Sequence, residues 1–403
     1  MKPDIFYIRL SNNVKFLDYS KFDPAEEVEE EDALQLCELL VEKYETPMSP
    51  SQIIRKEVPL LNLVQQKNKY GLQVKKLEDD IKRFAHRSFY GGAVYNFRRT
   101  GGYHLVPHET HIDYHQMYAH IMKNNVFPNV NSKYVIVDGY EKHPMAIYWI
   151  GSGKIKLKPN GYPLVMVEND KSNFEDKFNK YTDIPWTYLT SIDLELICEN
   201  YDIHPNYPIE IIETFYYTGT VHGNNVFGEF IDEVYQYRKQ TTGAIKRFYK
   251  LLNEYLPGSF ERRIEANTMW GTLDGNEQKQ TYSVFNNIIG TFITAYGRKW
   301  LNDLLHLFPA DKVIGYDTDC VFFKGTPEEI PSQVKSFMGD GMGQLHFDGI
   351  YTNVRHLAPK QYYGYEGDKI FAKMAGVKNA LEIATHLIES GDDFYRTPTE
   401  CVI

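Results

Sequence analysis

The stretch that most constrains this chain is Lys312-Val-Ile-Gly-Tyr-Asp-Thr-Asp-Cys-Val-Phe-Phe323, two short β runs that meet at an acidic turn. Val313 and Ile314 before the turn, and Val321, Phe322 and Phe323 after it, are the β-branched and aromatic residues of a buried hairpin. A spacing of two puts Asp317 and Asp319 on one face if the strand runs through them, and a tight turn exposes both side chains. Carboxylates bounded by apolar strands are costly to bury unpaired, so they require a counter-charge, for which a metal ion is the natural choice. Taken alone, Asp-Thr-Asp reads as an ordinary solvated turn.

Holding two divalent ions about 3.5–4 Å apart, as phosphoryl and nucleotidyl transfer require, takes a further carboxylate from a neighbouring strand. His111-Ile-Asp-Tyr-His-Gln-Met-Tyr-Ala-His-Ile-Met122 supplies one. It starts as a strand and turns helical, placing Asp113 at the junction and Tyr118 one turn on. By itself Asp113 reads as a helix N-cap.

At 403 residues the chain can bury one large core or two to three subdomains, and 42% hydrophobic with 14% aromatic content marks it as folded rather than disordered. A net charge of −10 argues against indiscriminate nucleic-acid binding but leaves room for a local basic channel. Cys37, Cys198, Cys320 and Cys401 form no C-x-x-C pair, which fits a reduced cytoplasmic setting and no zinc site. No apolar signal region or run of about 18 apolar residues suggests a membrane anchor.

Along the chain, Ile5–Leu10 reads as a strand, and Asp23-Pro24 opens a helix with an acidic first stretch, Glu26 to Asp32. Lys67, Lys69, Lys75, Lys76, Lys82, Arg83 and Arg87 lead into Phe89-Tyr-Gly-Gly92, where tandem glycines allow close backbone approach to a ligand. Tyr134–Val137 and Ala146–Ile150 read as strands. Residues 227–271 read as an antiparallel helical pair broken near Leu256-Pro-Gly-Ser259. Arg238, Lys239, Lys246, Arg247, Lys250, Arg262 and Arg263 give this pair a basic face suited to a triphosphate. Ile289, Phe292, Ile293, Tyr296, Trp300 and Leu304 fall at helical spacing, the mark of a core face.

Asp113-Tyr-His-Gln-Met-Tyr-Ala119 and Tyr316-Asp-Thr-Asp-Cys320 together resemble motifs A and C of the family B DNA polymerases, D-x-x-S-L-Y-P and Y-x-D-T-D-S. Phe89-Tyr-Gly-Gly92 stands where the family carries [YF]-x-G-G, and Lys360-Gln-Tyr362 where it carries K-x-Y. Trp186–Leu196, Phe227–Asp232 and Gly290–Arg298 are similar to segments of the protein-primed branch found in small bacteriophages. Motif B, K-x-x-x-N-S-x-Y-G, is matched by Arg263-Ile-Glu-Ala-Asn-Thr-Met-Trp-Gly271, with Arg263, Thr268 and Trp270 departing from it. A competing placement on Ala244–Asn253 has the wrong spacing to a Tyr-Gly. An arginine at the Lys position binds phosphate bidentately but donates a proton poorly.

The resemblance implies an α+β right-hand polymerase. The palm, an antiparallel sheet, would take 86–122, 191–226 and 272–365, helical fingers 227–271, and a small thumb 366–403. Residues 123–190 would be an insertion that contacts a priming protein, and 1–85 an N-terminal segment holding the remnant of a 3′–5′ exonuclease domain. Two Mg²⁺ ions, with Mn²⁺ as a substitute, would be held by Asp113 and Asp319, with Asp317 and the Tyr114 backbone carbonyl. Tyr118 would lie under the sugar and select deoxynucleotides. Arg238, Lys239, Arg263, Asn267 and Tyr316 would hold the nucleotide; Phe89, Gly91, Gly92, Lys360, Tyr362 and Lys373 would hold DNA.

The implied partners are primer-template DNA, deoxynucleoside triphosphates and a terminal protein. A separate exonuclease chain is a further one, because Asp32 matches only the last exonuclease motif, with Val28 in place of its Tyr. Two other readings share the carboxylates: a non-catalytic replication subunit that keeps the fold, and an unrelated metal-dependent phosphohydrolase.

Overall fold

Short runs rich in β-branched and aromatic residues, interrupted by turns and buried at the centre, build a seven-stranded antiparallel sheet from segments far apart in sequence. The computed structural model describes residues 15–16, 26–27, 39–40, 42–43, 53–54, 57–58, 79–96, 105–165, 180–260, 263–267, 279–283 and 287–390. The chain divides into two units. The first is Met1–Phe89, Tyr118–Lys133 and Thr218–Ile293; the second is Tyr90–Met117, Tyr134–Tyr217 and Thr294–Ile403.

The sheet belongs to the second unit. Its strands are β1 (Val94–Asn96), β2 (Leu105–Tyr114), β3 (Val313–Asp317), β4 (Cys320–Lys324), β5 (Leu345–Ala358), β6 (Gln361–Glu366) and β7 (Lys369–Met374), in the spatial order β7-β6-β5-β2-β4-β3-β1. The expected hairpin is β3–β4, with Asp317 paired to Cys320 across its turn. Ile112, Tyr316, Val321 and Phe323 pack on one face with Leu301, Leu304 and Leu305 of the Asn287–Leu305 helix. Cys320, Phe322, Tyr351 and Tyr362 pack on the other.

A four-stranded sheet in the same unit has the order Thr187–Thr190, Ile147–Ser152, Glu210–Tyr217, Tyr134–Asp138. The expected strands near 134–137 and 146–150 are both in it. Thr190 caps the Ser191–Asn200 helix, its Oγ1 accepting from Asp193 N at 3.0 Å. The Ala380–Ser390 helix packs Ala384 and Leu387 against Tyr363 and Met374.

In the first unit the helical pair is present, but its break lies elsewhere. The helices are Glu229–Gln240 and Gly243–Ser259, and Pro257 sits in the last turn of the second. The chain turns instead where Thr241 and Thr242 are extended and Gly243 takes a φ of +55°, a conformation open to glycine at no steric cost. Arg263–Asn267, expected with the helices, is a strand paired with Lys279–Ser283. Glu26–Glu27, expected to be helical, pairs as a strand with Lys15–Phe16. Ile5–Leu10, Asp32 and the lysines at 67–76 lie outside the described residues, as do Thr268–Gly271 and 391–403. No helix among the described residues is long and apolar enough to cross a membrane.

Candidate active site

The β3–β4 turn is held from both sides. Thr318, at a φ of +63°, donates its N–H to the carbonyl of Ala93 at 2.7 Å, and Asp319 N donates to Asp317 O at 2.7 Å. On the neighbouring strand, Tyr114 N donates to Asp319 O at 3.3 Å and to Asp113 Oδ1 at 2.8 Å. Asp113 is paired with Cys320 of β4 on one side and with His346 of β5 on the other. The sequence-predicted carboxylates of motifs A and C therefore meet at one corner of the sheet.

Their electrostatics mark them as a set. Burial, then the charge of Asp113 and the carboxylates of Asp317 and Asp348, push Asp319 up to about 8. Asp113 is raised to about 6, by burial first and by Asp348, with His346 opposing. Asp317 has a cation beside it, Lys360 Nζ at 3.0 Å from Oδ1.

Two ligand candidates were not read from the sequence. Asp113, His346 and Asp348 offer donor atoms that all lie within 4.8 Å of one another. The β5–β2 register shifts between Phe347 and Gly349, and Asp348 stands at that shift. A bulge re-aims a side chain in this way, and no sequence period reveals it. His346 stacks face to face on His115 at 3.7 Å, and Lys373 Nζ lies 3.2 Å from Asp348 Oδ2. Two carboxylates and an imidazole this close together, with Asp113 half-buried, fit a divalent cation.

Behind this corner, β2 carries a buried polar group. Glu109 accepts from His111 and His356. Burial pushes its carboxyl up, but the two histidines outweigh that and hold it at about 2. Burial depresses His111.

The Tyr90-Gly91 loop is clamped by Arg298, another residue the sequence did not single out. Its Nη1 donates to the carbonyls of Tyr90 at 2.6 Å and Gly91 at 2.7 Å. Nε and Nη2 reach Asp193 Oδ1 and Oδ2 at 2.8 and 3.0 Å. The Tyr90 hydroxyl is hydrogen-bonded to Thr187. The signal was present in the quoted segments, since each carried one half of this ion pair.

The other expected site residues divide between the units. Lys360, Tyr362, Lys373, Gly91 and Gly92 are in the second with the carboxylates; Phe89, Tyr118, Arg238, Lys239, Arg263 and Asn267 are in the first. Tyr118 lies on the first turn of the Met117–Asn124 helix, directly after the strand and turn that carry Asp113. Lys239 is exposed, with Nζ over the Tyr235 ring at 4.7 Å. The side chains of Arg263 and Asn267 lie outside the described residues. Tyr316 is a correction: it is 0% exposed and its hydroxyl donates to Pro163 O at 3.0 Å, which makes it a core residue rather than a nucleotide contact.

No family model matches the chain. It is 24% identical over 294 residues to the DNA polymerase of Bacillus phage PZA, covering 70% of this chain and 47% of the relative. It is 25% identical over 259 residues to that of Bacillus phage phi29, covering 61% and 42%. The structure of phi29 DNA polymerase complexed with primer-template DNA and incoming nucleotide substrates aligns with a TM-score of 0.66 at 19% identity, over 88% of this chain and 64% of that one. The chain thus spans about half the length of the curated relatives it matches. Its fold is that of a phage DNA polymerase. In sequence it is similar to the DNA polymerases of these Bacillus phages over part of their length.

Proposed function

We propose that the chain is a template-directed DNA polymerase that adds deoxynucleotides to a primer 3′-hydroxyl in phage DNA replication, acting in the host cytoplasm. The observation that carries the reading is the meeting of Asp113 on β2 with Asp319 in the turn just before the paired strand β4, each with its proton affinity raised by burial and by neighbouring carboxylates. Such a pair is costly unless a cation is shared between its members. Relatives named DNA polymerase, and a solved neighbour in complex with primer-template DNA and nucleotides, support the substrate class.

In this reading Asp113 and Asp319, with Asp317 and the Tyr114 carbonyl, hold two Mg²⁺ ions or Mn²⁺ in their place. When bound, such ions activate a 3′-hydroxyl and neutralise triphosphate charge. Lys360 keeps Asp317 paired, so that the carboxylates do not all repel one another. Lys360, Tyr362 and Lys373 face the primer side, while Arg298 fixes the Tyr90-Gly91 backbone so that Gly92 and Phe89 present one conformation to template phosphates. Arg238, Lys239, Arg263 and Asn267 bind the triphosphate from the helical pair and the strand after it. Residues 86–122, 191–226 and 272–365 act as palm, 227–271 as fingers and 366–403 as a small thumb. A terminal protein is the priming partner, engaged by residues 123–190.

Primer extension on a primed single strand with Mg²⁺ and deoxynucleotides tests the reading. Tyr118→Val gives the sharper signature, because removing the ring that excludes a 2′-hydroxyl is expected to raise ribonucleotide incorporation about 10²-fold or more relative to deoxynucleotide. The ratio of kcat/KM values for the two sugars reads it. An unchanged ratio would remove Tyr118 from the sugar pocket.

A further inference from the structure

Strand β2 carries Glu109, His111 and Asp113 at alternate positions, so all three share one face of the sheet. Glu109 Oε1 accepts from His111 Nε2 at 2.7 Å, and both its oxygens accept from His356 Nε2 at 2.9 Å. The side chains of Glu109 and His111 are 0% exposed and that of His356 5%. Both imidazoles rest on Tyr362. His356 is its cross-strand partner and stacks on it at 5.1 Å, and His111 meets it edge-on at 5.3 Å.

We propose that Glu109 is a positioning residue for primer binding: by bridging His111 and His356 it fixes the seat of Tyr362 on the face of the sheet that ends in Asp113. The proposal rests on the polymerase reading, from which the place of Tyr362 at the primer terminus is taken. Packing alone does not require the group. Phe322 fills the position on β4 opposite His111, and replacing bonded polar partners by apolar groups of the same shape is often neutral or stabilising. What the triad adds is direction. Hydrogen bonds to a charged acceptor leave each ring one orientation, where apolar side chains would have several. A displacement of about 1 Å in a positioning group is enough to cost about a hundredfold in rate.

The test compares wild type with Glu109→Gln and with the triple replacement Glu109→Leu, His111→Phe, His356→Leu. The readouts are urea unfolding, primer-template affinity by fluorescence anisotropy, and the KM values for primer-template and for nucleotide. The amide of Glu109→Gln keeps the shape but turns an N–H toward one of the donors. Its KM for primer-template is expected to rise about tenfold with the nucleotide KM unchanged, and its affinity to fall in step. The triple replacement is expected to recover stability and to keep the raised primer KM, a split that a merely structural role would not produce. A triple variant with both wild-type stability and wild-type primer KM would overturn the proposal, as would an unchanged primer KM in Glu109→Gln. If the wild type binds DNA but extends nothing, the polymerase reading fails by itself. An unchanged affinity of Glu109→Gln would then overturn the positioning role too, whereas a tenfold loss would uphold it for DNA binding.

Discussion

Arg298→Ala is expected to lose about 3–5 kcal/mol of folding stability, close to the limit of what one residue contributes in a fold of this size. The side chain of Arg298 is 1% exposed and that of Asp193 0%, so the carboxylate would be left buried with no cation beside it. The carbonyls of Tyr90 and Gly91 would lose a donor at the same time. Arg298→Lys keeps the charge but cannot form the two-pronged contact with Asp193 while also reaching two carbonyls, so it should recover only part of the loss. Urea unfolding of the three chains measures the effect. A loss below about 1 kcal/mol for Arg298→Ala would mean that the pair is not a structural anchor.

The second large effect concerns the acidic corner when no divalent ion is bound. Asp319 is raised to about 8 and Asp113 to about 6 from an ordinary value of 3.8. The folded chain therefore holds protons that the unfolded chain has already released. This contribution to stability is fully present below about pH 4 and is lost as the pH rises toward 8, and the window belongs to the pair because each charge raises the other. Asp319→Asn removes the repulsion. In chelator at pH 8 the variant is expected to be more stable than wild type by on the order of 2–3 kcal/mol, and near pH 4 the two should converge. A divalent ion should then stabilise the wild type and leave the variant almost unchanged. Thermal melting across pH, with and without Mg²⁺, checks both statements. A wild-type melting profile that is flat between pH 4 and 8 in chelator would contradict them.

What the sequence made legible follows from local rules. The hairpin around Asp317 and Asp319 was readable because apolar β formers flank a turn, and Asp113 because a strand pattern gives way to a helix beside it. Period two along β2 also placed Glu109, His111 and Asp113 on one face, although only Asp113 was drawn from it. Long-range register was not legible. Asp348 reaches Asp113 and His346 only through a shift in the β5–β2 pairing, and Arg298 meets Asp193 from a helix a hundred residues away in sequence. Propensity and motif matching misled elsewhere. The Pro257-Gly258 pair looked like a helix break, yet the second helix runs through it to Ser259, with Pro257 forgoing one backbone hydrogen bond close to the end. Tyr316 carried a motif position, yet tertiary packing buries its ring and ties its hydroxyl to a carbonyl.

Single-nucleotide extension of a primed strand, repeated with each template base, decides whether the chain is a template-directed polymerase when wild type is run beside Asp113→Asn and Asp319→Asn. Wild type is expected to add only the complementary deoxynucleotide. Both variants should fall by about a thousandfold or more while still binding primer-template, since each removes a carboxylate on which the charge of the reacting phosphates depends. Wild-type chain that binds the DNA and extends nothing, or extension that ignores the template base, would contradict the polymerase reading.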